Sequence, residues 1–307
     1  MAYHIVDVNS RMEDLEQVGT KEKYWFSYNN KEWLIKLSRE KSGEHWAEKV
    51  AEQICIKLNI PHARYELARW RGEYAVISES MISNGEYRLV LGNEVLLSKD
   101  KSYPAVDGKS KYVKRREHTV YRVAGVLGSM NLNSPPGFVA DFEMNAVGVF
   151  LGYLMLDALI GNQDRHDENW AIFQSLSPEA ADCLAPTFDH ASGFACTERD
   201  ETREKRLRTK DKNYSVEAFS KKAKSGLYRN ENDTSTMLAL DVFKVVASQQ
   251  KEAAGYWLAR LEHITDEFIE EVLGNVPNDI MSDITREFTR RMLIANREAL
   301  LCTKQEK

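Results

Sequence analysis

The chain has 307 residues and a mass of 35.2 kDa, enough for two lobes around one cleft. With 43% hydrophobic and 29% charged residues and only 16 glycines and 7 prolines, its composition excludes wholesale disorder. A formal net charge of −5 gives no support to a general nucleic-acid-binding surface.

Cys55, Cys183, Cys196 and Cys302 form no C-x-x-C pair and no zinc spacing, which points to free thiols in a reducing compartment. The start, Met1 to Gln17, lacks a basic region followed by an apolar core, so no signal peptide is expected. The most apolar stretch, Phe138 to Gly161, is interrupted by Asp141, Glu143, Asn145 and Asp157 and reads as a buried helix instead of a membrane span. A cytoplasmic protein is the expectation.

In chain order, Lys23 to Ser38 reads as a β-hairpin: YWFSY and EWLIKLS are aromatic and β-branched runs joined at Asn29-Asn30-Lys31. Trp33, Ile35 and Leu37 share one face of the second run, Leu34 and Lys36 the other. Lys36 is either an edge-strand gatekeeper with its amine in water or a cation held over a cleft. From Glu44 to Asn59 the period becomes helical, with Trp46, Val50, Ile54 and Leu58 in one stripe, Ser42 as N-cap and Pro61 as stop. YELARW and EYAVISESM supply two further strands. Residues 84–136 read as less regular, with a polar, basic loop over SKDKSYPAVDGKSKYVKRREH. A strongly apolar helix is expected over Val139–Gly161, then strands at NWAIF and APTFD around a turn at Leu176–Asp182. From about Val216 the pattern is helical to the end, and Trp257, Phe268 and Phe288 read as core. The order is a small β-rich part with one helix, then a larger helical part, with a cleft between them.

The chemistry concentrates in GNQDRHDENWAIF and PTFDHASGF. Phosphoryl transfer needs a carboxylate for the acceptor hydroxyl, oxygen ligands for Mg²⁺ and a cation at the phosphates. Asp164 precedes Asn169 by five residues, the separation of catalytic Asp and metal-binding Asn in kinases, and Asp189 follows across a hairpin where a second metal-binding Asp belongs. Its setting is D-H-A in place of D-F-G. D-x-x-x-x-N alone is common, and the competing reading is a loop in which Asp164 and Asn169 brace turns. Lys36 with a partner on the next helix supplies the other half of a kinase site. Glu44, Glu48 and Glu52 all lie near one face of that helix; the central Glu48 is taken as the partner, and at least one of the others is expected on a solvated acidic face.

The segments LIKLS, AEKVAEQICIKLNIP, LIGNQDRHDENWAIF and FDHASGF resemble the HipA-like serine/threonine kinases, whose catalytic loop is similar to that of phosphatidylinositol kinases. The resemblance spans about Lys23 to Gly193 and is to the short, stand-alone CtkA-type members. It implies an α+β, bilobal protein-kinase-like fold, with residues 1–83 as a β-rich nucleotide-binding N-lobe and 84–307 as a mainly helical C-lobe. It also implies ATP and Mg²⁺ as cofactors. Lys36 would contact the phosphates, Glu48 would orient it, Asp164 would be the catalytic Asp, and Asn169 and Asp189 would bind Mg²⁺. His166 would structure the catalytic loop. Ile77 to Met81, with Glu79 and Met81, would form the hinge for adenine. Gly19 and Thr20 belong to the loop over the phosphates, which holds no serine, so the loop phosphorylation of some relatives is not expected.

The partners implied are a protein substrate, an aminoacyl-tRNA synthetase in some relatives, and an antitoxin-type regulator; neither nucleic acid nor membrane is expected as a direct partner. Rival readings are a phosphatidylinositol-like lipid or small-molecule kinase and a nucleotide-binding pseudokinase. Basic residues in Arg203–Lys212 either contribute to a site for an acidic or phosphorylated substrate or form a solvated surface.

Overall fold

The computed structural model describes residues 1–9, 14–15, 23–82, 85–105 and 115–305. Strands β1 (Ile5–Asp7), β2 (Asp14–Leu15), β3 (Lys23–Tyr28), β4 (Lys31–Leu37), β5 (Tyr65–Trp70) and β6 (Glu73–Glu79) form one sheet in the order β1-β5-β6-β4-β3-β2. The β1–β5 pair is parallel and every other pair antiparallel. Helix α1 (Glu44–Leu58) follows β4 and packs on β5 and β6. The β3–β4 and β5–β6 hairpins turn on Asn29-Asn30 and Arg71-Gly72, all four at positive φ. Two consecutive left-handed residues make the type I′ turn, whose twist matches that of paired strands.

One face of the sheet buries Phe26, Trp33, Ile35, Ala75 and Ile77, with Leu37 packed beside them. The alternation puts Leu34 and Lys36 on the other face. Strand β4 is interior to the sheet and Lys36 is 9% exposed, so the gatekeeper reading is excluded. α1 is capped by Gly43; Ser42, expected as the cap, instead donates its hydroxyl to Arg39 O at 2.8 Å. The helix ends at Asn59, whose left-handed backbone (φ 57°) turns its N–H back onto the last carbonyls before Pro61.

The rest of the chain contains β7 (Tyr87–Leu91), α2 (Gly92–Lys99), α3 (Val120–Ser129), α4 (Ala146–Ile160), β8 (Ala171–Ser175) and β9 (Cys183–Leu184). They are followed by α5 (Asp200–Arg208), α6 (Val216–Ser220), α7 (Ala239–Gln249), α8 (Lys251–Leu261), α9 (Asp266–Gly274) and α10 (Asp283–Cys302). Strands β7, β8 and β9 make a small antiparallel sheet in that order. Residues 84–136, expected to be less regular, thus hold a strand and two helices among the described residues. The apolar helix starts at Ala146 instead of Val139, because the Asn145 side chain accepts from Gly148 N and caps it there. The second strand of the hairpin is Cys183–Leu184; APTFD contributes only an isolated bridge between Thr187 and His62.

Every residue of α4 is buried, so it is the axis on which α3, α7, α8 and α10 pack. Trp257 and Phe288 are buried in this core, and Phe268 is half-buried against it. The two parts are fastened together. Trp46 of α1 meets Phe194 at a ring separation of 5.8 Å, Arg260 Nε donates to Leu58 O at 2.7 Å, and Tyr3 N donates to Asn275 O at 2.7 Å. No described helix is long and apolar enough to cross a membrane.

His118 links this core to the loop before β8. Its Nδ1–H donates to Gly226 O at 3.1 Å and its Nε2 accepts from Trp170 Nε1 at 3.2 Å. Burial lowers its pKa to about 4. A His in the unfolded chain takes up its proton near pH 6.5, so this stabilising difference is complete above that pH and is lost as pH falls toward 4. From pH 7 to pH 5 His118 therefore contributes a loss of about 2 kcal/mol. Denaturant melts at both pH values should show a drop that His118→Gln reduces by about that amount.

Candidate active site

Lys36 is carried by the interior strand β4 and Glu48 by the second turn of α1, which packs beneath the sheet. Lys36 Nζ lies 3.3 Å from Glu48 Oε1 and 3.7 Å from Asp189 Oδ1, over the Tyr65 ring. Burial opposes the charge on Lys36, but Asp189, Tyr65 and Glu48 outweigh it and hold the ammonium above its ordinary pKa. Glu48 is fully buried; burial pushes its carboxyl up, as does Asp189, while Lys36 and the His190 N–H pull it down. The lysine is thus a fixed, dehydrated cation facing the Asp189 carboxylate.

Asp189 has a left-handed backbone (φ 58°), a conformation that costs a non-glycine residue about 1 kcal/mol or more. Two hydrogen bonds hold it there: its own N–H donates to the Tyr65 hydroxyl at 3.0 Å, and the His190 N–H donates to Glu48 Oε2 at 2.8 Å. His190 is fully buried beside Thr187, with which its Nε2 makes a 2.9 Å hydrogen bond, and burial drives its pKa well below the ordinary value. A neutral imidazole therefore fills the place of the phenylalanine in D-F-G.

The Asp164 loop begins where α4 ends at Gly161, in a left-handed cap. Arg165 is fully buried and makes two bonds to Asp157 of α4, Nε–Oδ2 at 2.8 Å and Nη2–Oδ1 at 2.7 Å. Its Nη1 donates to Asn169 O at 2.7 Å and reaches Phe188 O at 3.5 Å. One side chain thus ties α4 to both Asn169 and the residue before Asp189. Asn162 donates to Asp157 and accepts from Asp164 N, and Asn169 Nδ2 donates to Asp164 O at 2.6 Å. His166 Nδ1 accepts from Glu168 N at 3.1 Å. Ser192 Oγ and His166 Nε2 approach the same Asp164 oxygen, Oδ2, at 3.5 and 3.9 Å. Gly226 packs behind the loop, where a Cβ would lie 2.5 Å from the Arg165 carbonyl, so only glycine fits.

The structure therefore brings Lys36, Glu48 and Asp189 into contact, and joins Asp164, His166 and Asn169 in one hydrogen-bonded loop. Gly19 and Thr20 lie outside the described residues. The Glu79 side chain is engaged by Lys31 and Arg64 (3.1 Å), and Met81 follows the end of β6. Both border a cavity of about 520 Å³ that also takes in His62, Tyr87 and Phe173, but none of Lys36, Asp164, Asn169 or Asp189. The expected solvated acidic face on α1 is absent. Glu44 is 4% exposed and accepts from Arg39 N; Glu52 is 4% exposed and holds Lys49 and Tyr65 N. Arg165, Asn162, Tyr65 and Ser192 carry no sequence signal of their own, although the charged Asp157 inside an apolar helix is one; His190 is visible only as the departure from D-F-G.

An oxygen-seeking divalent cation fits this donor set. Asn169 spends its amide N–H on Asp164 O, which leaves Oδ1 as the atom to offer, and Asp189 supplies a carboxylate. Among the described residues no group of three or more His, Cys, Asp or Glu gathers, so a metal here would rest on one carboxylate, one amide and oxygens brought by a ligand.

The architecture is the bilobal α+β fold of the HipA-like kinases. It is similar to CtkA, a proinflammatory kinase of Helicobacter pylori, with a TM-score of 0.75 and 20% identity over 99% of each chain. It is also similar to HipA of Shewanella oneidensis MR-1, solved as a toxin–antitoxin complex with HipB and operator DNA, with a TM-score of 0.52 and 13% identity. That match covers 95% of this chain and 65% of the other. No family profile matches the sequence. No curated protein matches it either. At these identities the likeness is one of fold, and it extends through the helical tail beyond Gly193.

Asp157→Ala would leave the Arg165 guanidinium buried without its counter-ion. Breaking such a pair costs about 3–5 kcal/mol, so denaturant unfolding should show a loss in that range. A loss below about 1 kcal/mol would show that Arg165 does not depend on Asp157.

Proposed function

We propose that the chain is an ATP- and Mg²⁺-dependent protein kinase that phosphorylates serine or threonine hydroxyls. The observation that carries this reading is the buried ion pair between Lys36 and Glu48, with Asp189 at 3.7 Å on the same ammonium. Lys36 is a buried ammonium held between two carboxylates, and it faces the segment that would carry a metal. In this reading residues 1–83 form the nucleotide-binding lobe and 84–307 the catalytic lobe.

Bound Mg–ATP supplies the transferable phosphoryl group and neutralises its developing charge. The chain positions the rest. Lys36 binds phosphate oxygens, and Glu48 keeps its amine from collapsing onto Asp189. Asn169 Oδ1 and the Asp189 carboxylate would hold the cation. Asp164, its side chain 37% exposed, accepts the proton of the attacking hydroxyl. Ser192 and His166 both face its Oδ2, so Oδ1 is the oxygen turned to the acceptor. Backbone groups at Glu79 and Met81 would receive adenine, and Gly19 and Thr20 would cover the phosphates. The fold shared with HipA, solved with HipB, supports an antitoxin-type regulator as part of this reading.

The test is incubation with labelled ATP, Mg²⁺ and cell lysate. The expected result is label on protein serine or threonine, reduced about 10²-fold or more by Asp164→Ala. Label confined to a lipid extract would replace protein by lipid as the acceptor class. Nucleotide-dependent thermal stabilisation with no transfer to any acceptor would reduce the chain to a binding module.

A further inference from the structure

The stretch from 197 to 229 carries eleven Lys and Arg against six Asp and Glu, an excess of five positive charges in a chain whose net charge is −5. Sequence alone placed the candidate cations in Arg203–Lys212. The structure divides them. Arg203 is 5% exposed and bound to Asp200, Thr285 and Ala195 O. Arg206 lies between the rings of Tyr214 and Phe219, at 4.4 and 4.5 Å, and Arg208 is paired with Glu204. Arg203 ties α5 to α10 through Thr285, Arg206 ties it to the Tyr214–Phe219 segment, and Arg208 pairs within α5 itself.

What remains outward is six lysines together with the exposed Arg199 and Arg229. Lys205, Lys210, Lys212, Lys221, Lys222 and Lys224 are all exposed, and among the described residues none pairs with a carboxylate. Of the six acids in the stretch, Asp200 is engaged by Arg203, Glu204 by Arg208 and Glu217 by Arg291; Glu198, Glu201 and Asp211 form no ion pair with these lysines among the described residues.

This surface adjoins the site at both ends. It leaves at Ala195–Cys196, where Arg203 grips Ala195 O and Gly43 N donates to Cys196 O. It returns at Ala223, which abuts Gly161 at the root of the Asp164 loop, and at Gly226, which abuts the Arg165–His166 backbone. Lys221, Lys222 and Lys224 flank that return.

We infer that this lysine surface docks an acidic segment of the protein acceptor, next to the hydroxyl to be phosphorylated. This rests on the kinase reading and adds a substrate class to it. Unpaired surface lysines beside a reaction centre raise the local concentration of an anionic partner and act mainly on encounter. The occupant follows from the kinase reading, whose acceptor is a protein; the strongly acidic remainder of the chain confines any anionic partner to this surface.

The surface can be tested on the ligand-free protein, independently of phosphotransfer, by fluorescence anisotropy with labelled poly-L-glutamate and a labelled single-stranded RNA 20-mer. Poly-L-glutamate should bind the wild-type chain at low salt and be released at high salt. The triple variant Lys221→Glu, Lys222→Glu, Lys224→Glu should bind it about tenfold or more weakly. A control with the same charge change at the exposed Lys99, Lys101 and Lys251 should bind like the wild type. Equal weakening by both triples would show a net-charge effect and overturn the inference, as would tight RNA binding without poly-L-glutamate binding. Absence of phosphotransfer with intact, Lys221–Lys224-dependent poly-L-glutamate binding would overturn the kinase reading while leaving an acidic-polypeptide surface in place.

Discussion

The site depends on one buried ion pair, that of Arg165 with Asp157. A guanidinium taken wholly out of water is tolerable only when a carboxylate meets it and its remaining N–H groups find acceptors. Here Asp157 fills two of its directions, and the carbonyls of Asn169 and Phe188 take the third. Those carbonyls belong to the two segments that carry Asn169 and Asp189. The requirement to satisfy one buried cation therefore fixes both loops to the most deeply buried helix of the protein. Such a pair adds little net stability compared with a hydrophobic substitute, but it dictates geometry.

The second constraint works from the other side of the cleft. Glu48 accepts the His190 N–H with one oxygen and holds Lys36 with the other. The helix that bears Glu48 is clamped below by Phe194 and by Arg260 on the carbonyl of Leu58. Tyr3 N on Asn275 O adds a further link between the two parts. The left-handed Asp189 backbone is the local cost of presenting its carboxylate to the same ammonium.

Much of this was legible in the sequence. The alternation around Trp33, Ile35 and Leu37 gave the strand and the direction of Lys36; the helical stripe through Trp46 and Leu58 gave α1; the spacing of Asp164 and Asn169 gave the loop. The rest depends on tertiary partners that a linear pattern does not carry. Glu44 and Glu52 look like solvent-facing acids until Arg39, Lys49 and Tyr65 are placed beside them. Arg206 reads as a free cation until two rings close over it. The α4 start was misplaced because Val139 and Ala140 continue the apolar run, and the Asn145 cap is a local hydrogen bond that outweighs it. Residues 84–136 alternate too weakly to reveal β7, which is stabilised by pairing with β8.

The proposed function requires Lys36, Asn169 and Asp189 to converge on one metal–nucleotide site. A crystal structure with Mg²⁺ and a non-hydrolysable ATP analogue tests it directly. The account predicts a cation bound to Asn169 Oδ1 and the Asp189 carboxylate, with Lys36 Nζ on a phosphate oxygen and the Glu48 contact kept. A nucleotide bound without contact to Lys36, or a cation ligated away from Asn169 and Asp189, would contradict it.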